Sequence, residues 1–405
     1  MIRDSVTEDE KYMRRAMTLA HRGAGWVNPN PMVGAVLVKE GRIIGEGFHE
    51  YFGGPHAEVN ALMNLLYSSG SEGLVNADAT VKQIRELPGA MNGLLKDTTL
   101  YVTLEPCTHQ GKTPPCTDLI VECGIRSVVI GMEDPNPLVN GKGVAFLRAH
   151  GIQVTVGVLE AAVRSLNEVF IKFITEKIPF VVLKTAMTLD GKIATVTNAS
   201  RWITGEASRK MVHRMRQQFS AVMVGVDTVF FDNPQLNIRL NAGKGGISTS
   251  PLSWKNPLKI ITDTRARIPI DATVLQVDPQ LTVVATTALA PAAKLREIER
   301  TGAQVLVCPQ KDNMVDLHFL IQSLGLMEVD SVMIEGGSTL AFSALKEGLV
   351  DKVVSFIAPK ILGGKEAPGA VGGAGITTME EAISLSEMRF RKIGEDLLVE
   401  GRIKR

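Results

Sequence analysis

Pro55-His56-Ala57-Glu58-Val59-Asn60, Glu105-Pro106-Cys107 and Pro115-Cys116 are three separated pieces of one chemical set. One histidine and two cysteines make three soft protein ligands and leave the fourth tetrahedral position of a zinc ion open, as catalytic rather than structural sites do. Glu58 stands two residues past the histidine, at the start of a helical pattern. From there its carboxylate reaches the open position without being a ligand, as a proton carrier must. The set predicts hydrolytic deamination: water attacks a ring carbon bearing an amino group, and the glutamate carries the proton to departing ammonia. The alternatives are a buried histidine with two core cysteines, or a closed structural zinc site. His109, two residues past Cys107, is the rival fourth ligand and otherwise a substrate contact.

At 405 residues the chain exceeds what one hydrophobic core usually serves, so two domains are expected. Apolar residues make up 45%, and β and α patterns alternate throughout, which indicates an α/β protein. Lys and Arg total 44 against 43 acidic residues, a balance that offers no broad basic surface and excludes long nucleic acids as expected partners. Of four cysteines, two belong to the metal set. Cys123 and Cys308 remain as reduced core residues, with no disulfide framework. There is no hydrophobic signal region and no apolar run long enough for a bilayer, so a cytoplasmic enzyme is expected, with no membrane partner.

Residues 7–23 read as an amphipathic helix behind a Thr7/Glu10 capping pattern. Asn28-Pro29-Asn30-Pro31 follows as an irregular loop, because each proline biases the residue before it toward extended geometry. The amides of Asn28 and Asn30 offer both a donor and an acceptor to a heterocycle. A hairpin turns at Glu40-Gly41, a helix covers 57–67, and 68–97 reads as a surface insertion. Strands are expected at 98–104 and 127–132, a helix at 118–123, and one helix from 161 to 173. Asp134-Pro135-Asn136-Pro137 through Gly143 forms a loop for which closure over substrate and ordinary turn chemistry are both open.

A second β/α series begins near Thr175, which divides the chain into 1–174 and 175–405. Strand 331–334 running into Gly336-Gly337-Ser338-Thr339 at a helix start makes a backbone cradle for phosphate. No G-x-G-x-x-G opens this domain, so a Rossmann assignment is unsupported. Arg216 and Arg239 can each hold a phosphate bidentately or stand as solvated surface charges, and Thr264-Arg265 follows a strand. The stretch 241–256 is Gly-, Ser- and Pro-rich and reads as a loop.

Eight residues separate Cys107 from Cys116, where base deaminases commonly show two. With Asn28-Pro29-Asn30-Pro31-Met32-Val33-Gly34, His49 through Glu58, and Thr103 through Cys116, this resembles the deaminase of riboflavin biosynthesis. Lys184 through Lys192, Trp202-Ile203-Thr204, Gly225 to Thr228, Asp232-Asn233-Pro234, Thr264-Arg265 and Glu335-Gly336-Gly337 resemble, in that order, the reductase of the same pathway. The chain is therefore similar nearly throughout to the bacterial bifunctional deaminase/reductase family, departing at 68–97, at 241–256 and at Lys112, where arginine is more usual.

The resemblance implies an α/β fold: a cytidine-deaminase-like zinc domain of three layers, then a dihydrofolate-reductase-like domain using NADPH. It implies zinc on His56, Cys107 and Cys116, with Glu58 catalytic and substrate contacts at Asn28, Asn30, His49 and His109. In the second domain it implies cofactor contacts at Ala186, Trp202, Thr228, Asp232, Thr264 and the run Gly337, Ser338, Thr339, Leu340, Ala341, Phe342 and Ser343. The sugar phosphate would meet Ser200, Arg216, Leu236, Arg239 and Glu335, with Lys184 and Asp190 assisting proton movement. It further implies one zinc per chain and a homo-oligomer, dimer or tetramer, associating through the reductase domain. The competing functions are a deaminase of another nucleotide or of transfer RNA fused to an inactive reductase-like domain, and a non-catalytic nucleotide sensor with structural zinc.

Overall fold

The computed structural model describes residues 6–68, 86–89, 91, 93–109, 114–136, 139–239 and 256–405. The expected insertion at 68–97 and loop at 241–256 fall largely outside them, as do Lys112 and Pro137. The chain divides into two compact units, Met1–Glu176 and Lys177–Arg405. No helix among the described residues is long and apolar enough to cross a membrane.

In the first unit, helix Glu8–Ala20 starts where the Thr7 hydroxyl accepts the Glu10 N–H at 3.2 Å, with three acidic residues in its first turn. It buries Tyr12, Met13, Ala16, Leu19 and Ala20 on one face. Strands β1 (Gly34–Lys39) and β2 (Arg42–Phe48) pair antiparallel about Glu40 and Gly41, both at positive φ, as a two-residue primed turn requires. The Tyr12 hydroxyl donates to the Gly41 carbonyl at 2.6 Å and pins this turn to the helix. Gly34 is where helix and sheet approach closest, since a Cβ there would stand 2.0 Å from the Ala16 carbonyl oxygen.

β3 (Thr99–Leu104), β4 (Ser127–Met132) and β5 (Gln153–Val156) complete a sheet of order β2-β1-β3-β4-β5. β3, β4 and β5 run parallel, and β1 is antiparallel to β3. Helices Ala57–Ser68, Cys116–Glu122 and Lys142–Ala149 cover the face whose core contains Leu37, Leu62, Ile120, Ile130 and Leu147. The helix expected over 161–173 is two, Glu160–Leu166 and Glu168–Glu176. The break is Asn167, buried to 2%, whose amide oxygen accepts the Met32 N–H at 2.8 Å while its amide nitrogen donates to the Met32 carbonyl at 3.0 Å. Satisfying that loop takes precedence over helical continuity.

The second unit is built on β6 (Phe180–Thr188), β7 (Ala221–Gly225), β8 (Leu258–Thr262), β9 (Thr282–Thr286) and β10 (Gln304–Val307). A small hairpin, β11 (Gln310–Lys311) with β12 (Met314–Val315), precedes β13 (Ser331–Gly336), β14 (Lys352–Ala358), β15 (Leu385–Ile393) and β16 (Asp396–Ile403). The main sheet has the order β10-β9-β8-β7-β13-β6-β14-β16-β15. Its members from β10 to β14 are parallel, and β16 and β15 continue it antiparallel. The near-continuous burial of β6, β7, β9 and β13 is that of parallel strands covered on both faces. β15, mostly exposed and without strict alternation, has no counterpart in the sequence reading. The carboxyl ends of β6, β7, β8 and β13 open on one side, where open α/β sheets bind their ligands.

Candidate active sites

In the first unit, the loop after β2 delivers His56 to the start of helix Ala57–Ser68, and Glu58 is that helix's second residue. Cys107 follows β3, and Cys116 opens helix Cys116–Glu122. Three elements far apart in sequence thus bring His56, Cys107 and Cys116 together, with all ligand atoms within 4.8 Å of one another. His56 Nδ1 lies 3.5 Å from Cys107 Sγ and 3.3 Å from Cys116 Sγ. Tetrahedral zinc with ordinary Zn–S and Zn–N bonds sets such ligands about 3.5 Å apart, so the donor set fits that ion.

Backbone and charge favour the thiolate. The Cys116 N–H donates to Cys107 Sγ at 3.4 Å. The Cys107 thiol is held well below the usual thiol range, first by its hydrogen bond with Cys116, and the Cys116 thiol is correspondingly raised. Burial opposes a charge on His56, yet the neighbouring Cys107 lifts its pKa to about 9. A bound cation displaces these protons. Glu58 is 4% exposed, and burial raises its carboxyl above the ordinary range, which suits a group that both holds and gives a proton.

His49, buried to 3%, donates from Nδ1 to the Pro55 carbonyl at 2.9 Å and accepts the Asn30 amide at Nε2, 3.2 Å away. Burial pushes its pKa down to about 4, so it is neutral, consistent with that tautomer. Its ring stands edge-on to His56 with centroids 5.7 Å apart. Asn30 and His49 are therefore coupled to the metal ligands; Asn28 lies half-buried on the same loop, and His109 is exposed beyond Cys107.

Sequence reasoning passed over Glu105. This buried carboxylate accepts four backbone N–H groups: Asp134 and Gly141, each at 3.0 Å, Gly143 at 2.7 Å and Val144 at 3.1 Å. It ties the segment carrying Cys107 to Asp134 and to the start of helix Lys142–Ala149. Gly143 packs so closely that a Cβ there would stand 2.2 Å from the Pro106 carbonyl oxygen.

In the second unit two adjoining cavities of about 610 and 500 Å³ share Ile193, Ser200, Thr228, Asp232, Gly337 and Ser338. The larger also takes in Thr264, Arg265, Arg267, Thr339, Leu340 and Ser343; the smaller takes in Lys184, Ala186, Trp202, Arg216, Leu236, Arg239, Glu335 and Ala341. Gly337, at φ +91°, starts helix Ser338–Lys346, and a Cβ on Gly336 would crowd Thr228 Oγ1 at 3.1 Å. Glycine here keeps backbone amides open to an anion.

Two of the expected residues line neither cavity. Phe342 lines neither cavity and packs against Gly373, where a Cβ would stand 2.2 Å from its ring. Asp190 is exposed and also lines neither. Its carboxylate accepts the Thr188 hydroxyl at 2.6 Å and the N–H groups of Leu362 at 3.2 Å and Gly363 at 2.7 Å, and the first of these holds its pKa down to about 2. A group so acidic is no proton donor near neutral pH.

Arg216, expected on a phosphate, is engaged by the protein itself. It grips Glu335 bidentately, Nε to Oε1 at 2.5 Å and Nη2 to Oε2 at 2.8 Å, and donates Nη1 to the Asn237 carbonyl at 3.0 Å. Lys184 Nζ is 3.8 Å from the same carboxylate. Burial lowers the pKa of Lys184, with Glu335 opposing. Arg239 is the freer cation. Burial and repulsion from Arg216 and Arg201 lower its pKa, and an incoming anion relieves that repulsion. Ser200 donates to Asp232 at 2.6 Å, and the exposed Trp202 ring carries the Arg209 guanidinium 4.6 Å above it.

Two family models match the chain: the cytidine and deoxycytidylate deaminase zinc-binding region over residues 6–132 and the RibD C-terminal domain over 179–399. The riboflavin biosynthesis protein RibD of Actinobacillus pleuropneumoniae is 44% identical across 97% of this chain and 94% of its own length. The Escherichia coli protein of the same name is 35% identical across 96% and 98%. Among solved structures, RibD of Acinetobacter baumannii superposes with a TM-score of 0.80 at 34% identity, covering 99% of this chain and 100% of that one. A diaminohydroxyphosphoribosylaminopyrimidine deaminase/5-amino-6-(5-phosphoribosylamino)uracil reductase of Thermotoga maritima gives 0.77 at 38% identity, covering 98% and 99%.

Removing the Glu105 carboxylate leaves four backbone donors without their acceptor. Glu105→Ala is expected to destabilise the first unit by about 3 kcal/mol and to lower its zinc content. Thermal unfolding with metal analysis checks this, and an unchanged melting temperature would contradict the anchoring role.

Proposed function

The chain belongs to the bifunctional riboflavin-biosynthesis deaminase/reductase family, and from that premise we propose how its own residues divide the work. The substrate is the diaminopyrimidinone ribosylamine phosphate. The first unit removes a ring amino group as ammonia; the second reduces the ribosyl group to ribityl and yields the ribitylamino uracil phosphate. The observation that carries the reading is the convergence of His56, Cys107 and Cys116 within 4.8 Å beside a buried Glu58.

His56, Cys107 and Cys116 hold one zinc ion per chain, which when bound supplies the Lewis acidity that makes water nucleophilic near neutral pH. Glu58 takes a proton from the attacking water and delivers it to the leaving amino nitrogen. Asn30 and His49 orient the heterocycle, with Asn28 and His109 at its edges. The fixed His49 tautomer keeps the Asn30 amide in one orientation.

In the second unit the cofactor would be NADPH, which when bound would supply the hydride for reduction at the C1′ carbon. Thr228, Gly337 to Thr339 and Thr264 with Arg265 hold the cofactor through backbone amides, hydroxyls and a guanidinium. Ala186, Trp202, Asp232 and Ala341 line the smaller cavity, where they would contact the cofactor. Arg239 takes the substrate phosphate, whereas Arg216 fixes Glu335 for contact with the sugar. Lys184 gives a proton to the ribose ring oxygen as the ring opens. The exposed apolar residues Leu385, Met388, Phe390 and Leu397 on β15 and β16 offer a face for association of reductase units.

Glu58→Gln keeps the metal ligands and removes the proton carrier. It is expected to retain zinc and lose ammonia release by at least about a hundredfold; metal analysis with an ammonia assay checks this, and a wild-type rate would refute the carrier role. Arg239→Ala should raise the reductase KM for the phosphorylated intermediate about tenfold, the loss of one charged hydrogen-bonding group, and leave ammonia release untouched. An unchanged KM would count against Arg239 as the phosphate holder.

A further inference from the structure

We propose that Asp190 is a positioning residue, holding residues 360–372 in place as a wall of the reductase cavities. The inference rests on reading the second unit as a reductase.

The turn at Thr188–Ile193 and this segment are joined along their length. The Leu189 N–H donates to the Lys360 carbonyl at 2.8 Å. The Asp190 carboxylate takes the Leu362 and Gly363 amides, at 3.2 and 2.7 Å. Lys192 Nζ donates to the Ala367 carbonyl at 2.9 Å, and the Ile193 N–H donates to the Pro368 carbonyl at 2.9 Å. The Ala370 N–H returns to the Gly191 carbonyl at 3.2 Å. Within the segment Gly363 and Gly364 have positive φ, and its 360–366 part has no ladder partner of its own. Side-chain hydrogen bonds from the turn therefore supply what secondary structure does not.

What the segment walls gives Asp190 its role. Pro368 lines the larger cavity, Ala370 lines the smaller, and Ile193 lines both. The Gly372 N–H donates to the Ser338 carbonyl at 3.0 Å, beside the helix start assigned to the cofactor phosphates. Lys360 Nζ reaches the Trp202 carbonyl at 2.7 Å on the cavity rim. Asp190 thus bears on both cavities without lining either, and its hydroxyl partner Thr188 keeps the carboxylate aimed. Loss of the two amide bonds loosens the wall and weakens binding, whereas the reacting atoms keep their neighbours.

The test uses the zinc-loaded full chain as wild type, Asp190→Ala and Asp190→Asn. It measures reductase kinetics, ammonia release by the same preparations, and hydrogen exchange over residues 360–372. Asp190→Ala is expected to raise the KM for NADPH and substrate about tenfold with kcat within about twofold, and to speed exchange at Leu362 and Gly363. Asp190→Asn retains one carbonyl acceptor and should recover most of the KM. A kcat lowered about a hundredfold in both variants at unchanged KM would make Asp190 a proton carrier and overturn the proposal. Unchanged exchange at Leu362 and Gly363 in Asp190→Ala would also overturn it. If Asp190→Ala does not fold, seen as loss of exchange protection throughout the β strands of the second unit, the KM-against-kcat split of Asp190→Asn decides. A wild-type chain that releases ammonia and oxidises no NADPH would sink the reductase reading, and the exchange readout, which needs no turnover, would still decide the role of Asp190.

Discussion

Two sulfurs and an imidazole nitrogen within 4.8 Å of one another in a largely buried pocket make a costly arrangement unless a cation shares their electron pairs. Much of the first unit exists to impose that proximity. His56 comes from a helix start, Cys107 from beyond a strand end, and Cys116 from the first residue of another helix. The surroundings are fixed in turn: Glu105 binds the amides of Asp134 and Gly141 and two at the start of helix Lys142–Ala149, His49 is locked between Pro55 and Asn30, and Asn167 interrupts a helix to hold Met32. A metal site assembled from loops needs such supports, because each ligand otherwise carries the slack of its own loop.

In the second unit the two cavities lie at the open ends of a parallel sheet. The buried pair of Arg216 and Glu335 sets the charge pattern there. With Arg216 neutralised and Glu335 oriented, the remaining positive character of the smaller cavity falls on Arg239, Arg201 and Arg209, nearer its rim. Lys184 is left beside the same carboxylate, with its pKa lowered by burial. One ion pair thereby separates the rim arginines of the smaller cavity from the largely buried Lys184.

Much of this was legible in the sequence, for reasons that are local. The histidine–glutamate helix start, the Pro-Cys pairs, the Thr7 cap and the Glu40-Gly41 turn are short-range features whose geometry follows from a few adjacent residues. The partners that escaped are long-range. Glu105 bonds amides 29 to 39 residues away, Arg216 bonds a carboxylate 119 residues on, and Asp190 bonds amides 172 and 173 residues on. A carboxylate that anchors backbone carries no periodic signal, and it reads like any polar residue beside a motif. β15 was missed because its residues are mostly exposed and its pattern is irregular, so there is little alternation to read.

On the proposed function one chain deaminates and then reduces the same pyrimidine. The direct measurement supplies zinc-loaded protein with the diaminopyrimidinone ribosylamine phosphate and NADPH, and follows ammonia and NADPH absorbance in one cuvette. Ammonia should appear first, with NADPH consumed after it in equal final amount. NADPH consumption that precedes ammonia, or ammonia with no NADPH consumed, would contradict the account.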